Sequence, residues 1–175
     1  WWCKSEVRLT KDMPCNYRAY ATDSLMTHPY CGLILVMGLG KSVITLTALW
    51  ELLLDRFDIV RVLVIAPKRV AGDTWPAEIA KWDHLKGLTC SLVLGTEKQR
   101  RAALGKKAML YIINRENVAW LVENHRWDFE ALVIDELSSF KSSKAQRFRA
   151  LKKVRPLCRR GIGLTGTRAP NTLRD

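Results

Sequence analysis

A short glycine-containing segment between an apolar run and a helical pattern constrains this chain more than any other feature. Residues 32–42 read GLILVMGLGKS, and the apolar stretch VITLTALW follows them at 43–50. A buried strand that enters a glycine loop, then Lys41 and Ser42, then a long helix, is the arrangement of a phosphate-binding loop. The sequence therefore predicts a nucleotide-binding α/β domain with this loop at the end of a strand.

The residue types in the loop have separate tasks. Gly38 and Gly40 let the backbone turn with its N–H groups pointing inward, and the dipole of the following helix adds positive potential. Lys41 would place a positive charge on the β- and γ-phosphates, and the Ser42 hydroxyl can coordinate Mg²⁺. The predicted nucleotide-binding residues of the loop are Met37, Gly38, Leu39, Gly40, Lys41 and Ser42.

One position departs from the strict phosphate-loop pattern, which has a glycine where this chain has Leu35. The alternative reading is a glycine turn between strand and helix with an exposed lysine. The strand before the loop and the long helix after it favour the phosphate loop.

A second apolar run, ALVI at 131–134, ends in Asp135 and Glu136. Because the carboxyl ends of parallel strands meet at one edge of a sheet, this acidic pair should reach the phosphate loop. Asp135 would then hold Mg²⁺, directly or through water, and Glu136 would orient and deprotonate the attacking water. We therefore predict Lys41, Asp135 and Glu136 as the catalytic set. The alternative is a helix or turn start at which the carboxylates act as caps.

Short apolar runs alternate with helical patterns along the whole chain. The predicted strands are Gly32–Val36, Val62–Ala66, Cys90–Leu94, Met109–Ile113, Ala131–Asp135 and Gly161–Thr165. The predicted helices are Tyr17–Met26, Lys41–Leu54, Arg69–Trp82, Glu97–Leu104, Glu116–Glu123 and Lys144–Val154. Nearly continuous apolar strands are typical of a parallel sheet covered on both faces. The prediction is one α/β domain with a mostly parallel sheet and helices on both faces.

The positive charge is concentrated near the carboxyl end. The net charge is +12, and residues 141–175 hold 11 Lys and Arg against one acidic residue. Phe148, Leu151 and Val154 recur at three-residue spacing, which predicts an amphipathic helix with its basic side chains outward. Such a segment either meets a polyanion or is a solvated basic face.

The remaining composition excludes several classes of protein. No apolar stretch approaches the roughly 18 to 20 residues of a membrane helix, and the first residues lack a secretory signal. The five cysteines are odd in number and form no Cys-x-x-Cys pair, so we expect reduced, mostly buried thiols in a cytoplasmic setting. Since the chain opens on Trp1 rather than Met, we expect it to be a piece of a longer protein.

Three segments together resemble a known family. They are MGLGKS at 37–42, DELSSFK at 135–141 and LTGTRAPN at 164–171, which are similar to successive motifs of superfamily-two helicases of the DEAD/DEAH-like type. The similarity is greatest to the Swi/Snf-like branch in its short phage and bacterial form, and it covers about Tyr17 to Asn171. The resemblance implies a RecA-like P-loop fold, ATP and Mg²⁺ as cofactors, and an ATP-driven motor on DNA in a bacterial or phage-infected cell.

The resemblance also implies roles for three further segments. The strand end APK at 66–68 and the segment NREN at 114–117 correspond to elements that face DNA, and TGT at 165–167 corresponds to the element linking nucleotide state to DNA grip. Each has a simpler alternative: a proline that ends a strand, an asparagine that caps a helix, and an ordinary strand exit. The implied nucleic-acid or coupling residues are Pro67, Lys68, Asn114, Arg115, Thr165, Gly166 and Thr167.

The chain departs from the family pattern at three positions. Arg18 stands where members usually carry a glutamine that reads adenine, so Arg18 joins the predicted nucleotide site in place of that glutamine. Val36 stands where an acidic residue is usual, and Arg168 where a proline usually follows the threonine. These departures leave Lys41, Ser42 and the acidic pair intact.

By the resemblance, residues 1–175 form a single amino-terminal ATP-binding lobe of a two-lobe motor whose second lobe is absent from this chain. The expected partners are duplex DNA, bound without sequence preference, and the second lobe; no membrane partner is expected. The basic carboxyl-terminal segment would line the DNA path or face the second lobe. Arginines from a second lobe would stabilise the transferring phosphoryl group, a contribution of about 10³ to 10⁵ in rate in related chemistry. The isolated lobe should therefore bind nucleotide and hydrolyse it weakly.

Two other functions compete with this interpretation. A noncatalytic nucleic-acid-binding or assembly module would keep the fold without the motor, and a small nucleotide kinase would share the phosphate loop. The kinase does not explain TGT at 165–167 after an Asp-Glu strand end. Trp75 and Trp82 lie seven apart and are expected in the core rather than as base-stacking platforms. The three histidines, His28, His84 and His125, form no metal or catalytic set in the sequence.

Overall fold

The computed structural model describes residues 5–8, 16–36, 38–140 and 146–166. Met37 and Thr167, which are predicted site residues, lie outside these ranges, as do Arg168, Cys3 and Cys15. Within the described ranges, no helix is long and apolar enough to cross a bilayer.

Seven parallel strands in the described ranges form one sheet. They are β1 Ser5–Arg8, β2 Tyr30–Ile34, β3 Val62–Ala66, β4 Cys90–Val93, β5 Leu110–Asn114, β6 Ala131–Ile134 and β7 Arg160–Thr165. Their spatial order is β1-β2-β7-β6-β3-β5-β4. All six predicted strands are confirmed, with ends that differ by at most two residues.

The strand β1 was not predicted. Its four residues read SEVR, which is not an apolar run, and it pairs with β2 alone at one edge of the sheet. An edge strand lacks a neighbour on one side, so it does not need the continuous apolar sequence by which the central strands were found.

The helices are α1 Tyr17–Thr27, α2 Lys41–Trp50, α3 Trp75–Lys81, α4 Glu97–Leu104, α5 Val118–Asn124 and α6 Gln146–Val154. Wide π-helical turns follow α2 and precede α3, at Glu51–Asp55 and Val70–Thr74. Single 3₁₀ turns lie at Asp83–Leu85, Arg115–Asn117, Leu137–Phe140 and Arg155–Leu157. The sequence predicted all six helices, and α4 has the predicted ends because Thr96 and Gln99 form a capping box.

Alternate residues of each central strand enter two separate cores. In β3, Val62, Val64 and Ala66 pack on the side of α1, α2 and α3, whereas Leu63 and Ile65 pack on the side of α4, α5 and α6. Each strand is buried on both faces, which explains its continuous apolar sequence.

The cysteines in the described ranges behave as small core residues. Cys31 and Cys158 are buried and Cys90 is half-buried, and all three are free thiols. Burial raises the pKa of the Cys158 thiol to about 11 and also raises that of Cys90. Neither thiol therefore has the character of a reactive thiolate at neutral pH.

An open cavity of about 810 Å³ lies where β3 and β5 begin, at the amino-terminal edge of the sheet. Phe57, Ile59, Val60 and Met109 contribute to its apolar lining. Phe57 and Val60 are exposed by 76% and 67%, which makes them the largest apolar exposures among the described residues. This cavity is on the opposite edge from the phosphate loop, which follows the carboxyl end of β2.

Candidate functional site

The phosphate loop joins β2 to α2 at the carboxyl edge of the sheet. Gly38 and Gly40 have φ angles of 86° and 78°, in the left-handed region that favours glycine. Gly40 is the residue before α2 and supplies no side-chain cap to its first turn. The Lys41 Nζ donates to the Leu35 carbonyl at 2.9 Å, which closes the loop on itself.

The surroundings of Leu35 explain why this position does not carry the glycine of the strict pattern. Its side chain is buried in the core, and its backbone φ is outside the left-handed region. Its N–H donates to the Thr165 carbonyl at 3.1 Å. The position is a continuation of the strand rather than part of the turn, so it does not require glycine.

The acidic pair follows β6, which is separated from β2 by β7. The Asp135 N–H continues the sheet by donating to the Ile65 carbonyl at 2.8 Å. Asp135 Oδ1 accepts from the Glu136 N–H at 3.0 Å, and Oδ2 accepts from Trp75 Nε1 at 3.1 Å. Burial raises the pKa of the Asp135 carboxyl, and these two hydrogen bonds and the Lys41 charge act in the opposite direction.

The charge of Lys41 and the charges of the acidic pair act on one another, on the sheet edge at which the sequence predicted them to meet. Burial lowers the pKa of the Lys41 ammonium, and the negative charges of Asp135 and Glu136 act against that shift. Both segments follow the carboxyl ends of parallel strands and so lie on one edge, and β7 alone separates those strands. A ligand with several negative charges could meet the lysine, and a bound cation could meet the carboxylates, in the same place.

The oxygen donors at this edge are those that a magnesium ion prefers. Ser42 lies in the first turn of α2 and is half-buried, and within the described ranges its hydroxyl has no hydrogen-bond partner. Asp135 supplies a half-buried carboxylate on the neighbouring segment. Mg²⁺ binds hard oxygen ligands and commonly combines one or two protein ligands with phosphate oxygens. The donor set therefore fits a magnesium-nucleotide complex.

Glu136 has an unusual backbone for a non-glycine residue, with φ at 56°. Its side chain is 56% exposed, and its Oε2 lies 3.5 Å from Arg115 Nη1. The carboxylate predicted to act on water is thus paired in this structure with a residue from the segment predicted to face DNA.

Tyr17 and Arg18 brace the phosphate loop from the start of α1. The Tyr17 hydroxyl donates to the Leu39 carbonyl at 3.2 Å, and Arg18 Nε donates to the Tyr17 hydroxyl at 3.2 Å. Arg18 Nη2 lies 3.7 Å from the point where a Cβ on Gly40 would stand. The guanidinium therefore lies against the loop itself. The sequence did not identify Tyr17, although a tyrosine beside Arg18 needs a partner for its hydroxyl when half-buried.

The predicted DNA-facing segments follow β3 and β5 on the same edge. Lys68 is exposed just after the end of β3. Asn114 is buried, donates to Glu116 Oε2 at 2.9 Å and accepts from Asn117 Nδ2 at 2.6 Å. Asn114 makes no side-chain cap to the turn that follows, so the helix-cap alternative is wrong for it.

Glu116 is the centre of this small polar group. Its Oε1 accepts from Arg115 Nε at 3.1 Å. Burial alone would raise the pKa of Glu116, but the hydrogen bonds from Asn114 and Arg115 and the Arg115 charge hold the pKa below its usual value. The group fixes the start of the segment after β5 and orients the Arg115 guanidinium.

The end of β7 separates the two halves of the candidate site. Thr165 is buried, and its carbonyl accepts the Leu35 N–H, while β6 runs along the other side of β7. Gly166 follows and is exposed. The predicted coupling segment is thus in contact with the strand that leads into the phosphate loop.

Sequence reasoning placed Trp75 in the core but missed its contact with the acidic pair. The side chain is fully buried, and its Nε1 donates to Asp135. A buried indole N–H needs an acceptor, and that requirement was the available signal. Trp82 is half-buried and donates to Glu78 Oε2 at 2.8 Å. Neither tryptophan is positioned as an exposed stacking platform.

The histidines lie apart from this edge. The ring of His84 contacts the Thr47 hydroxyl at 2.9 Å, and His125 Nε2 lies 3.3 Å from Asp128 Oδ1. Within the described ranges, no group of three or more His, Cys, Asp or Glu side chains is arranged to hold a metal ion.

A family model of the SNF2-related domain matches residues 17–175. The chain belongs to the SNF2-related domain family. This confirms the similarity to the Swi/Snf-like branch of superfamily two. At the level of the family, the SNF2-related domain is the core of an ATPase related to DNA-dependent ATPases, and it uses nucleotide, typically with Mg²⁺.

This SNF2-related domain is similar to a phage protein and to a plant protein. It is 40% identical over 147 residues to "Putative protein p41" of Acyrthosiphon pisum secondary endosymbiont phage 1, covering 79% of this chain and 32% of that protein. It is 30% identical over 153 residues to the DNA repair and recombination protein RAD54 of Oryza sativa subsp. japonica, covering 79% of this chain and 15% of that protein.

The fold of the SNF2-related domain matches a solved structure, the Sulfolobus solfataricus SWI2/SNF2 ATPase core in complex with dsDNA. The TM-score is 0.73 at 21% identity, over 90% of this chain and 32% of that chain. The match confirms the predicted RecA-like α/β fold. The chain spans about a third or less of the length of each of these proteins.

Proposed function

We propose that this chain is the ATP-binding lobe of a DNA-dependent ATPase that couples Mg-ATP hydrolysis to movement on DNA. The observation that carries the proposal is the approach of Lys41 to Asp135 and Glu136 on one sheet edge, in a chain of the SNF2-related family. Supporting it, the segments after β3 and β5 lie on that same edge.

The loop would bind the triphosphate through its backbone and Lys41. The left-handed conformations of Gly38 and Gly40 turn the loop, and the first turn of α2 offers N–H groups without a side-chain cap. Lys41 would exchange its bond to the Leu35 carbonyl for phosphate oxygens, and Arg18 would add a second cation beside the loop. Met37 and Leu39 complete the loop in the proposal.

Ser42 and Asp135 would hold the magnesium ion. When bound, Mg²⁺ neutralises the phosphate charge that develops during transfer. Trp75 orients the Asp135 carboxylate through its indole N–H, and the Glu136 N–H fixes the other oxygen. Glu136 would orient the attacking water and accept its proton.

DNA would bind across the carboxyl edge through Pro67, Lys68, Asn114 and Arg115. Lys and Arg contacts to phosphates are independent of sequence and are weakened by salt. The end of β7, at Thr165, Gly166 and Thr167, would transmit the nucleotide state because it adjoins both the loop and the acidic pair.

We propose that the motor needs a second RecA-like lobe, with residues 1–175 as the first. Support comes from the lengths of the relatives, which are about two and a half times the length of this chain or more. The second lobe would supply arginines that stabilise the transferring phosphoryl group. The isolated chain would then bind nucleotide but hydrolyse it only weakly.

The test is a titration of the chain with ATP in the presence and absence of Mg²⁺. We expect Lys41→Ala to weaken Mg-ATP binding about 10- to 100-fold, because a charge-assisted contact is lost. Lys98→Ala, an exposed lysine on α4, is the matched control and should bind as the unmodified chain does. Glu136→Gln should retain nucleotide binding and lose any measurable phosphate release.

Equal ATP affinities for the unmodified chain and Lys41→Ala would contradict the proposal. If the chain bound DNA but no nucleotide, the noncatalytic nucleic-acid-binding module would be the correct function. Transfer of phosphate to a second nucleotide, rather than release to water, would indicate a nucleotide kinase.

A further inference from the structure

The ion pair between Arg115 and Glu136 links two parts of the edge that the proposed function treats separately. Arg115 comes directly after β5, and Glu136 comes after β6, two strands away in the sheet. Arg115 Nη1 lies 3.5 Å from Glu136 Oε2, and Arg115 Nε lies 3.1 Å from Glu116 Oε1. One guanidinium therefore contacts a carboxylate of its own segment and the carboxylate assigned to the water.

The two contacts of Arg115 differ in how firmly they are held. Glu116 is fixed by Asn114, which is in turn fixed by Asn117, so the Nε contact belongs to an ordered polar group. The two carboxylates are similarly exposed, at 54% for Glu116 and 56% for Glu136, but the Glu136 oxygen lies farther from the guanidinium, at 3.5 Å against 3.1 Å. An ion pair this exposed is weak, because water screens both charges.

A DNA phosphate is a stronger ligand for the free side of this guanidinium. Arginine presents five donors in a planar fork that matches two phosphate oxygens, whereas Glu136 meets this fork through one oxygen and one donor at 3.5 Å. A phosphate arriving at the end of β5 would therefore take the place of Glu136 on Arg115, while Glu116 keeps Nε in place.

We propose that Arg115 is a positioning residue that holds the Glu136 carboxylate away from the nucleotide and releases it when DNA phosphate takes its place. This inference rests on the proposed function. It deepens that function by naming the contact through which DNA makes the water-activating carboxylate available. Without DNA, Glu136 is paired with Arg115 and is not free to orient water beside the γ-phosphate.

This replacement of Glu136 by DNA phosphate on Arg115, called the exchange below, can be tested by DNA binding alone, without measuring hydrolysis. If Glu136 competes with phosphate for Arg115, neutralising Glu136 must tighten DNA binding, and the gain must depend on Arg115. We expect Glu136→Gln to lower the Kd for a short duplex about two- to fivefold, the worth of an exposed ion pair. In the Arg115→Gln background, the same substitution should change the Kd by less than about 1.5-fold.

The experiment is a double-mutant cycle on the 175-residue chain, with fluorescence anisotropy of a labelled duplex at fixed salt. Asp73→Asn is the matched control, since Asp73 is an exposed carboxylate in the turn after β3 and has no ion pair in the described ranges. Arg115→Lys keeps the charge without the fork and should restore part of the DNA affinity lost in Arg115→Gln. Far-ultraviolet circular dichroism confirms that each variant is folded.

Three outcomes would overturn the inference. They are a Glu136→Gln gain of equal size in both Arg115 backgrounds, the absence of any gain, and an equal gain from Asp73→Asn. In each case the unmodified chain still binds DNA, so the proposed function stands while the exchange fails. If the unmodified chain binds no duplex at low salt, the DNA part of the proposed function fails and the exchange fails with it.

Discussion

Trp75 is fully buried, and its indole N–H donates to Asp135 Oδ2 at the base of the candidate site. Burial raises the pKa of this carboxyl, and the hydrogen bond from the indole favours its charged form. A core residue thus orients a side chain proposed to hold Mg²⁺ and favours its charged form. Removing the N–H while keeping an aromatic ring separates this role from packing.

We predict that Trp75→Phe reduces the Mg²⁺-dependent part of the ATP affinity about three- to tenfold, the worth of one hydrogen bond to a charged group. The measurement is a nucleotide titration at two Mg²⁺ concentrations. Trp82→Phe is the matched control, because Trp82 donates to Glu78 away from the carboxyl edge. If both variants lose affinity equally, the effect comes from packing, and the positioning role is wrong.

Arg18 places a positive charge beside the phosphate loop. Its guanidinium lies against Gly40 and is held by Tyr17, so we expect it to face phosphates rather than a base. We predict that Arg18→Gln weakens ATP binding about tenfold, because a positive charge is lost beside the triphosphate. Adenosine binding should change little. Arg56→Gln, on an exposed turn at the opposite edge, serves as the control.

If adenosine and ATP lost affinity in the same ratio in Arg18→Gln, Arg18 would contact the base. The residue would then act at the position of the glutamine that it replaces in the family pattern.

Among the elements, the turn between α5 and β6 carries the clearest dependence on pH. His125 is half-buried against Phe129 and Asp128, and burial together with the Arg61 charge lowers the pKa of its ring. The folded-state pKa is below the ordinary value of 6.5, so the unfolded chain takes up a proton first as the pH falls. Stability from neutral His125 is therefore complete above about pH 6.5 and decreases as the pH falls toward the folded-state pKa.

We predict that the free energy of unfolding falls less between pH 7.5 and pH 5.5 in His125→Gln than in the unmodified chain. Urea denaturation at the two pH values measures the difference. His84→Gln, an exposed histidine, should retain the full decrease. An identical decrease in all three proteins would show that His125 contributes nothing to the acid sensitivity.

The elements also show how far sequence reasoning reaches. The central strands were predictable because burial on both faces makes them continuous apolar runs, whereas β1 has no such signal at the sheet edge. The meeting of Lys41 with Asp135 and Glu136 followed from the convergence of parallel strand ends. The pairing of Arg115 with Glu136, and that of Trp75 with Asp135, did not follow. Such contacts depend on side-chain directions across strands that are distant in the sequence.

For the molecule as a whole, several basic side chains near the carboxyl end of the chain lie at the amino-terminal edge of the sheet. Arg155 stacks on the Tyr30 ring at 3.9 Å, and Arg159 and Arg160 bind Asp58, so these side chains support the amino-terminal edge. Lys152 and Lys153 are exposed in the last turn of α6, leading toward the same edge. The carboxyl edge instead presents Lys68 and Arg115.

This division predicts which lysines contact DNA. Lys68→Ala should reduce the slope of log K against log salt by about 0.9, the value for one phosphate contact on duplex DNA. Lys153→Ala removes the same charge from α6 and should leave the slope unchanged. Binding isotherms at four salt concentrations measure both. A reduced slope in Lys153→Ala alone would move the DNA path onto the α6 face.

The apolar cavity at Phe57 and Val60 opens on the rim farthest from the phosphate loop. A label on that rim would therefore leave the phosphate loop accessible. A biotin attached to the thiol of Val60→Cys would anchor the molecule to a glass surface with its phosphate loop toward the solution, where single duplexes could be watched as they arrive and depart.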